Sequence, residues 1–215
     1  MKENLTELVF VVDKSGSMSP LVSDTIGGYN GVLKEQRGKE GEILVTTYLF
    51  NQEHEKICGR VSIRDAAEMT EKEYRPGGMT ALMDALGEAL VYTSQEQDKM
   101  PEEEKPANTL FVVITDGLEN ASREYSSDTI KTMIKDKQAL GWQFIFLGAN
   151  IDAVETAAKY GVDASSAVDY HADAGGMKVA YDAVSRGVDL LRKKVRLSES
   201  ADWRRSADED FEGRK

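Results

Sequence analysis

The stretch "LVFVVDKSGSMSP", residues 8–20, decides how the chain reads. The apolar residues Leu8 to Val12 end abruptly in Asp13, Lys14, Ser15, Gly16 and Ser17. An apolar run without alternation predicts a strand covered on both faces, so a buried strand delivers one carboxylate and two hydroxyls to a single turn. Taken alone, D-x-S-x-S is equally the pattern of an Asx-turn leading into a helix at Pro20, because Asp and Ser are the usual occupants of turns and caps.

Working outward, β-branched-rich apolar runs bounded by turns lie at 7–12, 43–50, 109–115 and 143–148, with weaker ones at 57–63 and 167–170. Segments with helical spacing lie between them at 20–36, 80–95, 126–140, 151–160 and 173–195. Each has a plausible starter: Ser19-Pro20, Thr80, Ser126-Ser127-Asp128, Asn150 and Asp173. Strand and helix alternate, which predicts an α/β, doubly wound, mainly parallel sheet with right-handed crossovers and helices on both faces. The run at 57–63 follows its predecessor after a short polar turn and is expected to be an antiparallel edge strand. Residues 196–215 lose apolar spacing and become charge-dense, predicting a mobile tail after a single domain spanning 1–195. Within that tail Trp203, with Arg204 and Arg205, is the one candidate docking element.

Composition narrows the function. Of 215 residues, 40% are hydrophobic and 30% charged, and no apolar run approaches a membrane span. Acidic residues outnumber basic ones 38 to 27, a net charge of −11 that opposes contact with nucleic acid or anionic lipid. The lone cysteine, Cys58, excludes an intrachain disulfide and a Cys-based zinc site. With no apolar signal core in "MKENLTE", the expected location is the cytoplasm.

Two further stretches bear on Asp13. "RPGGMTALMDAL" puts Thr80 after a Gly77-Gly78 turn, and "FVVITDGLEN" puts Asp116 straight after a second buried strand. Ligands of open α/β sheets collect outside the carboxyl ends of the strands. If the strands carrying Asp13 and Asp116 are neighbours, two carboxylates and three hydroxyls converge there. Hard oxygen donors without His or Cys suit Mg²⁺, Mn²⁺ or Ca²⁺ and suit zinc poorly. An ion held largely by neutral hydroxyls, with the carboxylates set back behind water, keeps enough electrophilicity to attract a partner's Asp or Glu.

"DKSGS", Thr80 of "GGMTAL" and Asp116 of "ITDGLEN" together resemble the metal-ion-dependent adhesion site of von Willebrand factor type A domains, in the right order over about residues 5 to 195. The resemblance implies a Rossmann-like fold whose top face binds Mg²⁺ or Mn²⁺ and, through it, an acidic side chain of a protein partner. By position, Ser15, Ser17 and Thr80 would be hydroxyl ligands, and Asp13 and Asp116 would act directly or through water. The chain is most similar to compact intracellular bacterial members, some of which accompany stress-resistance systems or work beside ATPases and chelatases. A monomer without catalysis of its own is the expectation.

The rival enzymatic reading makes Asp13 the nucleophile of a haloacid-dehalogenase-like, metal-dependent phosphohydrolase. That motif wants a second acid at position 15, which is Ser. No G-x-S-x-G elbow or G-K-[ST] loop occurs, and His54 and His171 read as surface or half-buried residues. Gly27, Gly28 and Gly31 read as permitting close helix packing or bends. At the rim of the site, Met18, Met79 and Leu118 are candidates for partner contact. Tyr74, Arg75, Glu119 and Asn120 are further candidates.

Overall fold

The computed structural model describes residues 1–214. Strands β1 (Lys2–Asp13), β2 (Glu42–Phe50), β3 (His54–Ser62), β4 (Pro106–Thr115), β5 (Gln143–Gly148) and β6 (Ala167–Asp169) form one sheet in the order β3-β2-β1-β4-β5-β6. All neighbours are parallel except β2 and β3, which pair antiparallel at the edge, as the sequence predicts. Helices α1 (Val22–Arg37), α2 (Leu82–Asp98), α3 (Ser127–Ala139), α4 (Ala153–Lys159), α5 (Ala174–Arg192) and α6 (Arg205–Gly213) cover the two faces. No helix among the described residues is long and apolar enough to cross a membrane.

Successive strand residues point to opposite faces, and in β1 both faces are dry. Leu8, Phe10 and Val12 pack with Tyr29 and Leu33 of α1 and Val184 and Val188 of α5. Val9 and Val11 pack with Leu86 and Leu90 of α2 and Ile130 and Ile134 of α3. This two-sided burial is why the run 8–12 carries no alternation. Gly28 lets α1 approach α5, since a Cβ there would run into the Tyr181 ring. Ser126, Asp152 and Asp173 cap α3, α4 and α5 by accepting from Thr129 N, Glu155 N and Gly176 N.

Residues 196–214 depart from the predicted mobile tail. Leu197, Trp203 and Ala207 are buried in the core on the α1/α5 face, and Arg204 pairs with Asp208 and donates to Ala164 O. Three apolar residues at irregular spacing are enough to seat the segment, and irregular spacing is what a periodicity reading cannot detect. Burial also removes Trp203 as a docking element. Lys215 lies outside the described residues.

Midway along β1, Glu7 is fully buried. It is met by Arg60 Nε at 2.7 Å and by Gln97 Nε2 at 2.7 Å, while burial still raises its pKa. Arg60 reaches it from a shift in the β2–β3 register, with a left-handed backbone at φ 51°. Irregularities of this kind re-aim a side chain. Arg60→Ala would leave a buried carboxylate without its cation and is expected to cost about 3–5 kcal/mol. Urea denaturation measures this, and adding Glu7→Gln should recover much of the loss.

Candidate metal centre

Because β1 and β4 are parallel neighbours with Val12 opposite Ile114, Asp13 and Thr115 leave the sheet side by side, and Asp116 follows. Asp13 is fully buried. Its Oδ2 accepts from Thr115 Oγ1 at 2.6 Å and its Oδ1 from Ser15 N at 2.6 Å. The second bond is the Asx-turn of the simpler reading, and it folds residues 15–17 back over the strand end. Ser15 Oγ and Ser17 Oγ then stand 3.1 Å apart, and Ser17 Oγ donates to Asp116 Oδ1 at 2.5 Å.

Thr80 arrives on a different segment, tied to the first turn by its backbone. Gly16 N donates to Gly78 O at 3.1 Å and Gly77 N to Lys14 O at 2.8 Å, while Asn51 Nδ2 holds Gly77 O at 2.8 Å. Gly78 has φ 80°, in the left-handed region glycine adopts without cost. A Cβ on Gly117 would lie 3.4 Å from Thr80 Oγ1 and 3.7 Å from Ser17 Oγ, so both hydroxyls border the same small space. The structure therefore brings all five predicted residues, Asp13, Ser15, Ser17, Thr80 and Asp116, to one place.

Thr80 was a candidate helix starter, yet α2 begins at Leu82 and its N-terminus is capped from elsewhere. Met83 N donates to Glu119 Oε2 at 3.0 Å and Asp84 N to Ser122 Oγ at 3.1 Å. Among the described residues Thr80 Oγ1 enters no hydrogen bond, although the residue is only 4% exposed. Its oxygen is not among the buried side-chain atoms that lack a partner, so the hydroxyl is both uncommitted and reachable from outside, as a ligand position requires.

The loop from Asp116 to Ser126 is irregular and is held by two carboxylates. Glu119 accepts from Met83 N, Ala121 N and Ser122 N, and Asp84 accepts from Arg123 N, Glu124 N and Tyr125 N, all at 2.7–3.0 Å. Asn120 Oδ1 accepts from Thr80 N at 2.9 Å. Glu119 and Asn120, candidates for the rim of the site, thus brace the loop. Tyr74 is likewise buried, donating to Asp13 O at 2.6 Å. Arg75 is exposed, its Nε bonded to Glu71 O. Met18 is fully buried in the core, so only Met79 and Leu118 of the proposed apolar rim face outward, at 50% and 60% exposure. Thr115, Asp84 and Ser122 escaped the sequence reading. Only Thr115, adjacent to Asp116, carried any positional signal.

Burial pushes the Asp13 carboxyl up to about 6, with the nearby Asp116 adding to the rise and its bonds to Thr115 and Ser15 opposing it. Asp116 is raised chiefly by burial, with the Ser17 hydroxyl pulling it down. Among the described residues neither aspartate has an ion-pair partner. Nor does any group of three or more His, Cys, Asp or Glu there suit a metal, so a cation at this place would need the hydroxyls as well. Two carboxylates and three hydroxyls fit a hard divalent cation of the Mg²⁺ or Mn²⁺ kind.

Two outcomes follow for the metal-free protein. A carboxylate whose folded pKa is raised contributes most below its unfolded value near 4 and loses that contribution as pH climbs through about 6. At pH 7, in chelator, Asp13→Asn is therefore expected to gain about 2–3 kcal/mol of stability in urea melts. The Asn carbonyl can still accept from Ser15 N while its amide donates to Thr115 Oγ1. A loss of stability would contradict the electrostatic account. Asp84→Asn puts an amide donor where backbone N–H groups now meet a carboxylate, and should speed hydrogen exchange of Arg123, Glu124 and Tyr125 about tenfold or more. Unchanged protection would mean that other contacts hold the loop.

No protein-family model matches the chain, and no curated protein matches it in sequence. Solved structures do match. The vWF domain of the type V pili tip protein Mfa5 from Porphyromonas gingivalis aligns with TM-score 0.63 at 10% identity, over 86% of this chain and 95% of that one. The PilB minor pilin from Streptococcus sanguinis aligns with TM-score 0.60 at 10% identity over 91% of this chain, which spans only 63% of the pilin. Manganese-loaded TRAP protein from Plasmodium vivax aligns with TM-score 0.56 at 15% identity, over 84% of this chain and 73% of that one. The six-stranded, mostly parallel sheet with its antiparallel edge strand is the Rossmann-like fold of von Willebrand factor type A domains.

Proposed function

We propose that the chain is a cytoplasmic, non-catalytic docking module that holds a divalent cation at a metal-ion-dependent adhesion site and through it takes an acidic residue of a protein partner. The observation that carries this reading is the meeting of Asp13, Ser15, Ser17, Thr80 and Asp116 around one space, with the Thr80 hydroxyl uncommitted. Ser15, Ser17 and Thr80 would hold the ion by neutral oxygens, and Asp13 and Asp116 would balance its charge directly or through water. Mg²⁺ or Mn²⁺ bound there supplies a Lewis-acidic position for a carboxylate from outside. The neighbours support the binding and metal parts of the reading: two carry names of pilus proteins and one is manganese-loaded.

The chain's own residues prepare the site. The Asx-turn at Asp13 presents Ser15 and Ser17 together, and Asn120 fixes Thr80 through its backbone N–H. Glu119 occupies the N-terminus of α2, whose positive end would otherwise oppose a cation. Work beside an ATPase or in a stress-response system remains part of the same proposal, as does action as a monomer.

Isothermal titration with Mg²⁺ and Mn²⁺ is the direct test. Wild type is expected to bind, and Thr80→Ala to bind about tenfold more weakly or worse, the scale of one charge-assisted contact. Partner capture from lysate should then be lost with chelator. Equal heats from wild type, Thr80→Ala and Asp116→Ala would overturn the assignment.

A further inference from the structure

Between β3 and α2 the chain runs through residues 63–81 without a helix or strand. A connection of this length is uncommon in a compact domain and needs anchors of its own to hold one path. Its first half is fixed on α1. Arg37 Nε donates to Ile63 O at 2.7 Å, and Asn30 exchanges two bonds with the Met69 backbone, at 2.9 and 2.8 Å. Beyond Met69 the side chains of Thr70, Glu73 and Arg75 bond only within the connection. Of residues 70–79, Tyr74 alone is buried.

The Tyr74 ring packs in the core on the α1/α5 face, and its hydroxyl donates to Asp13 O at 2.6 Å. Two backbone bonds continue the contact along the same turn, Gly77 N to Lys14 O at 2.8 Å and Gly16 N to Gly78 O at 3.1 Å. Tyr74, Gly77 and Gly78 thus meet Asp13, Lys14 and Gly16 in order, and Thr80 follows directly. The three bonds are unequal. Gly77 is half-buried and Gly78 exposed, so water competes for their backbone groups, and glycine restrains its own backbone least. The tyrosine bond is buried at both ends and fixes the register that the glycines alone would leave loose.

We propose that Tyr74 is a positioning residue for the metal centre: by fastening the connection that carries Thr80 to the strand end that carries Asp13, it sets where the Thr80 hydroxyl stands against Ser15 and Ser17. This inference rests on the reading of the five residues as a metal site and adds the device that sets its affinity. Tyr74 acts through Thr80 and is not itself a ligand. By linkage, cation binding at Thr80 and closure of the connection on Asp13 strengthen one another.

The test uses the full chain with Mg²⁺ or Mn²⁺ alone as probe. Tyr74→Phe keeps the ring and its packing and removes the hydroxyl. Isothermal titration is expected to show binding about fivefold weaker than wild type, the scale of one hydrogen bond. In the Thr80→Ala background the same substitution should weaken binding no further, because its route is already removed. In the metal-free protein, amide exchange should quicken about fivefold at Gly16 and Gly77, while Ala149, whose N–H is bonded to Thr115 O at the same sheet edge, keeps its protection. A merely structural tyrosine would speed all three alike and weaken both backgrounds by the same factor. Either of those results, or coincident titrations of wild type and Tyr74→Phe, overturns the positioning role and leaves the metal site standing. If Thr80→Ala binds too weakly to titrate, the exchange pattern decides. No heat from wild type overturns both.

Discussion

Two buried carboxylates at adjacent strand ends are the constraint around which the upper edge of this protein is built. The parallel pairing of β1 with β4 sets Asp13 beside Thr115, and Asp116 follows within reach of the same turn. Burial and mutual repulsion hold Asp13 near the pH at which it can keep its proton. A structural solution would be a basic side chain between them. The nearest candidate in the sequence, Lys14, instead pairs with Glu55 at 2.5 Å. Their surroundings are hydroxyls and backbone N–H groups, which orient a carboxylate but do not neutralise it. Such an arrangement costs stability unless a cation completes it, and this places the strain at the proposed site of function.

The same logic explains where the remaining acidic groups are used. Asp84 and Glu119 are each bonded to three backbone N–H groups, turning an irregular loop into a fixed surface without a regular element of secondary structure. Their bonds cross between α2 and the β4–α3 loop, and so tie the segment that carries Thr80 to the segment that carries Asp116. Preorganisation of this kind spares the ordering entropy that a loose loop would lose on binding. It also frees Thr80 from the capping task its position before α2 suggests.

Much of this was legible in the sequence. The run 8–12 announced a doubly covered strand because both faces demand apolar residues, and the strand-helix alternation announced a mainly parallel sheet, though not the order of its strands. That the five candidate residues would meet at one edge was legible because each follows closely on a strand end or a glycine turn, where topology fixes position. Side-chain direction was not. Met18 lies one residue from Ser17 yet points into the core, since the short helical turn at Gly16–Leu21 rotates successive side chains to different sides. The bracing role of Glu119 and Asn120 was not legible, because loop polarity says nothing about which backbone groups need partners. Trp203 and Leu197 defeated the reading for another reason: they are seated by shape against α5 and the sheet, not by a repeat.

Charge sets the range over which docking of the proposed kind can act. A net charge of −11 draws cations toward the molecule and repels an acidic partner, but in physiological salt both effects fade beyond about 8 Å. Attraction between the module and a partner's carboxylate therefore begins only at contact, and the groups at contact must supply it. Hydroxyls serve this better than further carboxylates would, because they fix positions without cancelling a cation's pull on an incoming ligand. Exposed apolar side chains serve it too, being indifferent to the unfavourable field. On the proposed reading, the pairing of neutral donors inside with Met79 and Leu118 outside would be a single solution to one problem: capturing an acid with an acidic protein.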